Sequence, residues 1–581
     1  MVDARGTLPV LRVVQPEDLV TEEEERMVDG LADHVHPELL DEEPASAVPV
    51  LDVEVDVVEP YDPEIPRRGL RRHGGPESSV AIAAVPSRGR PGAGPLRERT
   101  DRCPSTGVIC RSPSTFRMTG FDDHEGDLEK ALARLGRRVK FAEALAQGGS
   151  GGGVNVDTRS TNVSPGPRLR GVVFRVWTGK HWAEAASSDL GAPSLEATVA
   201  RLETEVADGA GTAPVPGASS TTQGTWAVRP KRPLSDLGVE GTITLAKEIL
   251  GWATAVSGIV EAQVRFNWED DERLYLNSAG ARCRQTVVRT HVAVAPIAME
   301  NGRAEYDYWI RGCCGGLEGV PGLDEPSIRA TANASKELLH AKAPPAGETD
   351  VILDESVAGL FAHESFGHGT EADQFVRDRS YLKPILGEMV GPEFLSIADD
   401  GTFPGGWGSI FCDDEGHPAQ KTRLVDRGRF IGALHDRETA ALLGAQATGS
   451  TRRSDFMSRA FVRMTNTYVE PGTSSLEELL AEVKDGVLLE HGTSGIEDPL
   501  GGQMQLKVKK GHRIKNGRLT DLVGSMALSG KVLDFLKATR GVGREPLDSI
   551  EPGFCGKGHG DYIPVGTGGV HLLSHAIVGP A

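Results

Sequence analysis

The sequence predicts an α+β protein of two domains that follow a largely disordered N-terminal extension. Its 581 residues, 39% of them hydrophobic, are enough to form more than one buried core. The composition changes near residue 125, from acidic and Pro/Gly/Arg-rich segments to regular apolar patterns. After that point helical patterns stand beside runs of alternating strands joined by short turns, which indicates antiparallel pairing.

Residues 1–125 form the predicted extension. The first 60 residues carry many acids, and residues 61–118 are rich in Pro, Gly, Arg and Ser. Such segments bury too little apolar surface to offset the loss of chain entropy on folding. We therefore expect a mostly disordered extension with one short helix around residues 22–40, and a tail that docks on a partner is the alternative.

Charge and cysteine content restrict the class of protein. A net charge of -20 disfavours a nucleic-acid partner, because the phosphate backbone is also negative. The N-terminus "MVDARGTLPV" lacks the features of a signal peptide, and no apolar run is long enough to span a membrane. The seven cysteines, an odd number, fit free thiols in a reducing compartment. We expect a cytoplasmic protein that binds neither nucleic acid nor a membrane.

Residues 126–345 are predicted to form an N-terminal α+β domain. The segment "DLEKALARLGRRVKFAEALA" has helical spacing, and Gly148–Gly153 after it is interpreted as a flexible loop. Two strands around the turn at Gly179 and the helix "SLEATVARLETEV" come next, and further strands are joined at "NSAG" and "ENG". The helix "EPSIRATANASKELLHAK" and the linker "APPAGETD" end the domain.

Residues 346–581 begin with a short buried strand, "VILD", and Asp354 is expected to cap the helix after it. His363, Glu364 and His368 then form the pattern H-E-x-x-x-H, one residue longer than the zinc-binding H-E-x-x-H. On an α-helix the two histidines are about 140° apart, so they face one ion only if the helix contains a π-bulge or ends before His368. The glycines on both sides of His368 permit either distortion. Two unrelated histidines on a helix are the alternative.

A catalytic zinc ion requires a third protein donor. Cys555, which lies between glycines in "GFCGKGHGDYIPVGTGG", is the best candidate, and an inert loop thiol is the alternative. Three histidines near the C-terminus compete with it for this role: His559, His571 and His575. Glu371 and Asp373, just after His368, are expected to accept hydrogen bonds from the histidine ring N–H groups.

The region from about Val351 to the end contains, in this order, "AHESFGHGTEAD", "DDGTFPGGWGSIFCDDEGHPAQKTRLVDRGRFIGALHDRETAALLG", "RMTNTYVEPG", "GGQ" and "CGK" followed by "PVG". This ordered set resembles the TldD/PmbA family of metallopeptidases, and in particular its catalytic, TldD-type members. A weaker similarity covers residues 127–345. The segment from Cys555 to Pro564 departs from the family pattern, because it is one residue longer and contains His559.

The resemblance implies a TldD/PmbA-like fold with two domains and with mixed and antiparallel sheets. It also implies that His363, His368 and Cys555 bind one zinc ion per chain and that Glu364 is the general base. Family members degrade unfolded peptides, which enter a cavity formed by a dimer and lie as an added strand on a sheet. The partner is therefore expected to be a second copy or a PmbA/TldE-like paralogue.

Two other functions remain open. A non-catalytic subunit of a peptidase heterodimer is disfavoured because the motif residues and Cys555 are all present. An adaptor of a nucleic-acid enzyme is disfavoured by the acidic charge.

Four residues are candidates for substrate binding. Arg463 and Asn466 lie in the predicted strand "FVRMTNTYVEPG" and have side chains able to bond a peptide backbone, with a structural role in a half-buried strand as the alternative. Gly502 and Gln503 either let a peptide approach closely or form a turn. Asp399, in "DDGT", is interpreted as a turn residue.

Overall fold

The computed structural model describes residues 11–12, 121–166, 169–209, 211–548, 550–558 and 561–581. The predicted disorder of the N-terminal extension, and its short helix, lie almost entirely outside these residues. His559 lies outside them as well. No helix in the described ranges is long and apolar enough to cross a membrane.

The N-terminal region is built on one large sheet. Its strands are β1 (Leu11–Arg12), β2 (Phe141–Asp157), β3 (Thr161–Pro165), β4 (Leu169–Trp177), β5 (Trp182–Ser187), β6 (Gln223–Ala227), β7 (Ile259–Asn277), β8 (Arg282–Glu300), β9 (Arg303–Tyr306) and β10 (Trp309–Cys314). The central order is β1-β5-β4-β2-β7-β8-β10, and every pairing except β6 with β8 is antiparallel. The helices are α1 (Glu125–Gly136), α2 (Ala192–Gly209), α3 (Leu234–Thr254) and α4 (Glu325–Leu338).

The glycine-rich segment corrects one prediction. Helix α1 ends at Gly136, and β2 then continues through Gly148–Gly153 without a loop. The backbone of β2 pairs with β4 and β3 on one side and with β7 on the other, so its N–H and C=O groups are bonded on both edges. A Cβ at Gly151 would lie 2.7 Å from the carbonyl oxygen of Trp268. The glycines therefore serve close strand packing here, and the predicted loop is wrong.

The C-terminal region contains two larger sheets and a short ribbon. Its strands are β11 (Gly347–Leu353), β12 (Ile397–Asp400), β13 (Lys421–Asp426), β14 (Arg429–Phe430), β15 (Thr451–Arg452), β16 (Phe461–Val462), β17 (Asn466–Val469), β18 (Asp485–Glu497), β19 (Gln503–Lys515), β20 (Arg518–Val523), β21 (Met526–Lys531), β22 (Gly541–Val542), β23 (Glu551–Cys555), β24 (Ile563–Gly568) and β25 (Leu572–Pro580). The helices are α5 (Glu355–Leu360), α6 (Ala372–Val376), α7 (Arg437–Leu443), α8 (Leu476–Glu482) and α9 (Val532–Lys537).

The two larger sheets are mixed. One has the order β11-β18-β19-β21-β25-β22, and an additional pairing of β11 with β25 closes five of its strands into a ring. The other has the order β14-β13-β12-β17-β24-β23, in which β17 and β24 are parallel. The predicted α+β fold with mixed and antiparallel sheets is confirmed.

Helix α5 starts where the sequence predicts. The side chain of Asp354 accepts a hydrogen bond from Val357 N at 2.8 Å and so caps the helix, and it also accepts one from His491 N at 3.0 Å. Gly359 lies in the face of α5 that contacts β24, where a Cβ would lie 2.5 Å from the backbone nitrogen of Gly568. This close approach holds the helix against the sheet.

We expect Gly359→Ala to lower the free energy of unfolding by about 1–3 kcal/mol, because the added methyl group meets backbone atoms that cannot move aside. Gly251→Ala in α3 is the control, since no atom lies within 4 Å of the added Cβ. There the higher helix propensity of alanine should stabilise the protein by about 0.5–1 kcal/mol. Urea unfolding compares the two, and equal midpoints for both variants would contradict the packing argument.

Candidate metal centre

The helix that carries the histidines changes its winding at the motif. α5 continues as a π-helix over Phe361–Gly367 and ends in a 3₁₀ turn at His368–Thr370. The backbone N–H of His368 bonds to the carbonyl of His363, five residues earlier. The wider turn places the two histidines on one face, with ring centroids 5.1 Å apart. Of the two distortions that the H-E-x-x-x-H spacing allowed, the structure has the π-helical turn.

Met464 and strand β18 pack closely against this π-helical turn. A Cβ at Gly367 would lie 2.2 Å from the sulfur of Met464, which precedes β17. On the other side, a Cβ at Gly495 of β18 would lie 2.6 Å from the Cβ of Glu364. The π-helical turn therefore fits only because both positions lack a side chain.

The sheet that contains β17, β24 and β23 places Cys555 beside the histidines. Cys555 is the last residue of β23 and pairs with Ile563 of β24, which in turn runs parallel to β17. Its Sγ lies 3.4 Å from Nε2 of His368. Donor atoms of His363, His368 and Cys555 all lie within 4.8 Å of one another. The structure thus brings together the three residues that the sequence pointed to.

The competing histidines lie elsewhere. His571 contacts Glu355 and Glu545 at 3.6 and 3.7 Å. His575 lies 3.0 Å from Asp350. Among the described residues, Cys555 is the candidate third donor that joins the two histidines.

The three residues fit a zinc ion. His363 is 1% exposed, and its Nδ1 has no hydrogen-bond partner in the described part of the chain. A buried polar atom without a partner is rare in proteins, and a bound ion would satisfy it. Two imidazoles and a thiolate are also a donor set that zinc prefers.

The charges around the donors favour the metal-binding form of the thiol. Burial opposes ionisation, but His368 and Arg463 outweigh it and hold the pKa of Cys555 well below its usual value. For His368, burial opposes protonation, but Cys555 and Glu371 outweigh it and raise its pKa well above the usual value. Cys555 would therefore be available to a metal ion as a thiolate. His368 would release a proton when it binds the metal.

A buried cluster of charges supports His368. Glu371 Oε2 lies 3.4 Å from His368 Nδ1, as expected, and accepts a hydrogen bond from Lys557 Nζ at 2.8 Å. Lys557 also donates to Asp373 Oδ1 at 2.9 Å and to the carbonyl of Val462 at 3.0 Å. The expectation that Asp373 accepts from a histidine ring is wrong, since among the described residues its Oδ1 accepts from Lys557 and no histidine ring donates to it. The sequence analysis assigned no role to this lysine, although it lies two residues after Cys555.

Glu364 lies at the edge of the donor set. Its Oε2 is 3.8 Å from Nε2 of His368, and its side chain is 28% exposed. Burial raises the pKa of Glu364, and the neighbouring histidines His363 and His368 partly oppose this. A carboxylate with a raised pKa beside metal donors has the properties of a general base.

Two of the predicted substrate-binding residues make contacts within the protein. Arg463 is buried and donates to the carbonyls of Cys555 and Asp561, the latter at 3.0 Å. Asn466 is also buried, and its amide bonds to the carbonyl of Asp400 at 2.7 Å and to Ser409 at 3.0 Å. Arg463 therefore holds the loop that carries Cys555.

The other two lie where β18 turns into β19. Gly502 has a φ of 66° and donates its N–H to the carbonyl of Asp498 at 2.8 Å, which supports the turn interpretation. Gln503 is the first residue of β19 and pairs with Lys531. Substrate binding by these residues stays a prediction.

Asp399 has a structural role that its "DDGT" context hides. It is buried at the end of β12, where Oδ2 accepts from Thr465 N at 2.8 Å and Oδ1 from Thr465 Oγ1 at 2.7 Å. Thr467 donates to the same carboxylate at 2.9 Å. The sequence signal for this role was the pair of alternate threonines in "RMTNTY". Residues two apart in a strand face the same side, so both threonines can bond one carboxylate.

Comparison with known proteins identifies the family. The model of the PmbA/TldA metallopeptidase C-terminal domain matches residues 346–573, and that of the central domain matches residues 232–342. A metalloprotease of Archaeoglobus fulgidus is 35% identical over 363 residues, which are 62% of this chain and 82% of the relative. This chain belongs to the TldD/PmbA family. A zinc metalloprotease TldD homolog of Saccharolobus solfataricus is 31% identical over 245 residues, which are 42% of this chain and 54% of the relative.

Solved structures support the fold of this TldD/PmbA family member. A putative modulator of a DNA gyrase from Thermotoga maritima has a TM-score of 0.63 at 20% identity, covering 78% of this chain and 99% of the other. TldE from Thermococcus kodakarensis has a TM-score of 0.62 at 16% identity, covering 78% of this chain and 100% of the other. At this identity the similarity concerns the fold.

We expect Lys557→Met to lower the free energy of unfolding by about 3 kcal/mol or more, because it leaves the buried acids Glu371 and Asp373 without their cation. Lys383→Met is the control, since Lys383 pairs with a mostly exposed Asp378 and should contribute less than about 1 kcal/mol. Urea unfolding at pH 7 measures both. A loss in Lys557→Met no larger than in the control would show that the acids do not depend on this lysine.

Proposed function

We propose that the protein is a zinc-dependent peptidase that hydrolyses peptide bonds of unfolded or small peptides. The observation that carries this proposal is the cluster of His363, His368 and Cys555 donor atoms within 4.8 Å, with Glu364 at 3.8 Å from His368. The names of the relatives add support, since several are metalloproteases and one is a zinc metalloprotease.

The proposal divides the chain into three parts. Residues 346–581 form the metallopeptidase domain, with both histidines and Cys555. Residues 126–345 form the N-terminal domain, and residues 1–125 form the extension. The interval between the two matched family models, residues 343–345, covers the first three residues of the predicted linker "APPAGETD", whose last four residues belong to β11.

His363, His368 and Cys555 would hold one zinc ion per chain and leave a position open for water or substrate. When bound, the zinc supplies Lewis-acid chemistry, which acidifies water and polarises a peptide carbonyl. Glu371 orients the His368 ring through Nδ1, and Lys557 in turn holds Glu371. The chain thus fixes the direction of His368 Nε2, which faces Cys555.

Glu364 moves the protons of the reaction. Its carboxylate takes a proton from the attacking water and later gives it to the leaving amine. Burial raises the pKa of Glu364, which suits a group that must both accept and release a proton. Its partial exposure leaves a path for water to reach the carboxylate.

The substrate is proposed to bind as an added strand. β18 pairs with β11 only as far as Leu489, whereas its pairing with β19 continues to Glu497. In the described chain the end of β18 therefore has a strand partner on one edge only, and this end includes Gly495, which touches Glu364. A peptide added there is read through its backbone, so broad sequence tolerance is expected.

The functional particle is proposed to be a dimer, either of two identical chains or with a TldE-like paralogue. The family resemblance, which implies a dimer, motivates this proposal, and the similarity to the TldE structure concerns the fold. The non-catalytic and gyrase-adaptor alternatives have less support, because the donor set and Glu364 are intact and the net charge is -20.

We expect the purified protein to contain about one zinc ion per chain and to lose most of it in His363→Ala, His368→Ala and Cys555→Ser, because each change removes one of three protein donors. Cys314→Ser, at a thiol outside the cluster, is the control and should keep its zinc. Elemental analysis measures the content. Full zinc occupancy in Cys555→Ser would reject the cysteine as a ligand.

Glu364→Gln should keep its zinc while turnover of an unstructured peptide falls by about 100-fold or more, since the amide keeps the shape but cannot accept the proton. Glu355→Gln, at the exposed start of α5, is the control and should turn over peptide normally. Peptide cleavage followed by mass spectrometry, with zinc content measured in parallel, separates binding from chemistry. Cleavage at the parental rate would assign the base to another group.

A further inference from the structure

A cavity of about 550 Å³ lies between the two regions of the chain. Its walls come from the glycine-rich part of β2 and from C-terminal residues that include Trp407, Arg452, Ser454 and Phe554. This volume is within the range of ligand-binding clefts, about 300–1,000 Å³.

Arg452 is the one cavity arginine of the described chain that lacks a carboxylate partner. It is 6% exposed, and its Nη1 donates to the carbonyl of Met464 at 3.0 Å. Burial, together with the nearby Arg289 and Arg273, lowers the pKa of Arg452 to about 9. A buried cation among other cations is unfavourable unless an anion joins it.

The neighbouring arginines of the cavity are already paired. Arg273 binds Asp271 at 2.8 Å and Asp414 at 2.6 Å. Arg289 binds Glu269 at 3.2 Å. Asp271, Asp414 and Glu269 are therefore engaged by other arginines. The further wall acids Asp270 and Asp413 form no ion pair with Arg452 in the described chain.

Two neutral donors in the same walls also lack partners. Trp407 is 1% exposed, and its Nε1–H has no acceptor among the described residues. The hydroxyl of Ser454, two residues after Arg452, is buried and without a partner in the same part of the chain. One cation and two donors without partners favour a ligand that accepts hydrogen bonds and carries negative charge.

The glycines of β2 keep the opposite wall flat. A Cβ at Gly152 would lie 2.3 Å from the ring of Trp268, so no larger residue fits there without a shift of that ring. The Trp268 ring therefore lies directly over Gly152 and forms this part of the wall.

The cavity adjoins the metal centre. Arg452 bonds to Met464, whose sulfur fills the space beside Gly367 of the π-helix. Phe554 lines the cavity, and the next residue in the chain is Cys555. Residues that are bonded to each other or adjacent in the chain therefore connect the cavity wall to the metal donors.

We propose that this cavity binds a carboxylate group of the peptide substrate, with Arg452 as its ion-pair partner and Trp407 and Ser454 as hydrogen-bond donors. This inference rests on the proposed peptidase function and narrows its substrate class to peptides that carry a carboxylate near the cleaved bond. A C-terminal carboxylate and an Asp or Glu side chain share this chemistry.

The test measures peptide binding in the Glu364→Gln background, where the substrate is not consumed. Three versions of one unstructured peptide, labelled at the N-terminus, are compared by fluorescence anisotropy: the free acid, the C-terminal amide, and the amide with one Asp near its end. The free acid should bind about tenfold or more tightly than the plain amide, the usual scale of a charge-assisted hydrogen bond. Tight binding of the Asp-containing amide would show that side-chain carboxylates are accepted too.

Arg452→Gln should reduce the preference for the free acid to less than about twofold, because the cation is removed while a polar side chain remains. Arg459→Gln, at an exposed arginine of the same segment, is the control and should keep the preference. Ser454→Ala, a smaller change, should weaken binding of the free-acid peptide by about two- to fivefold and leave binding of the amide peptide unchanged. It supplies the test if Arg452→Gln does not fold.

Equal affinities for the free acid and the amide in the Glu364→Gln background would overturn the proposal. A preference that persists unchanged in folded Arg452→Gln would overturn it as well. Failure of the peptidase function is recognised separately, by absent zinc or absent cleavage in the parent protein, because the binding comparison requires no turnover.

Discussion

The geometry of the candidate centre depends on one backbone constraint, the π-helical winding of Phe361–Gly367. It supplies the extra rotation that an H-E-x-x-x-H spacing needs before both histidines face one point. The turn is held from both ends, since Asp354 caps the preceding α5 and a 3₁₀ turn follows at His368. Close packing against Met464 and β18 then leaves no space for a side chain at Gly367 or at Gly495.

Buried side chains of opposite charge contact each other around the metal donors. Lys557 joins Glu371 and Asp373, so these two buried acids near the metal donors have a cation as partner. The cavity behind the centre differs in this respect, because Arg452 has no carboxylate partner in the described chain. A buried charge requires an opposite charge. This rule accounts for the pairing of Lys557 with its two acids, and it is also the reason for proposing an anionic ligand beside Arg452.

Buried ion pairs also join the two regions of the chain. Arg437 lies 3.2 Å from Glu143 of β2, and its backbone N–H donates to Glu415 at 2.9 Å. Arg175 of β4 pairs with both of these glutamates. The large N-terminal sheet is thereby held beside the C-terminal region, which creates the cavity between them.

The sequence by itself determined the local features of this protein. The cap at Asp354, the histidine motif with its flanking glycines, and the strand-turn patterns of the N-terminal sheet are encoded by neighbouring residues, so they could be predicted without the fold. The family resemblance extended this to Cys555. In the structure the donor atoms of Cys555 and of the two histidines, which lie almost 200 residues earlier in the chain, are within 4.8 Å of one another.

Only the tertiary structure decided the features that depend on distant partners. Gly148–Gly153 has the composition of a loop, but strands on both sides recruit it into β2. The choice of Lys557 rather than a histidine as the partner of Asp373, and the isolation of Arg452, follow from side chains that meet across the fold. Local sequence cannot specify such pairs, because hydrogen bonds and charges are satisfied by whichever groups the packed chain brings within reach.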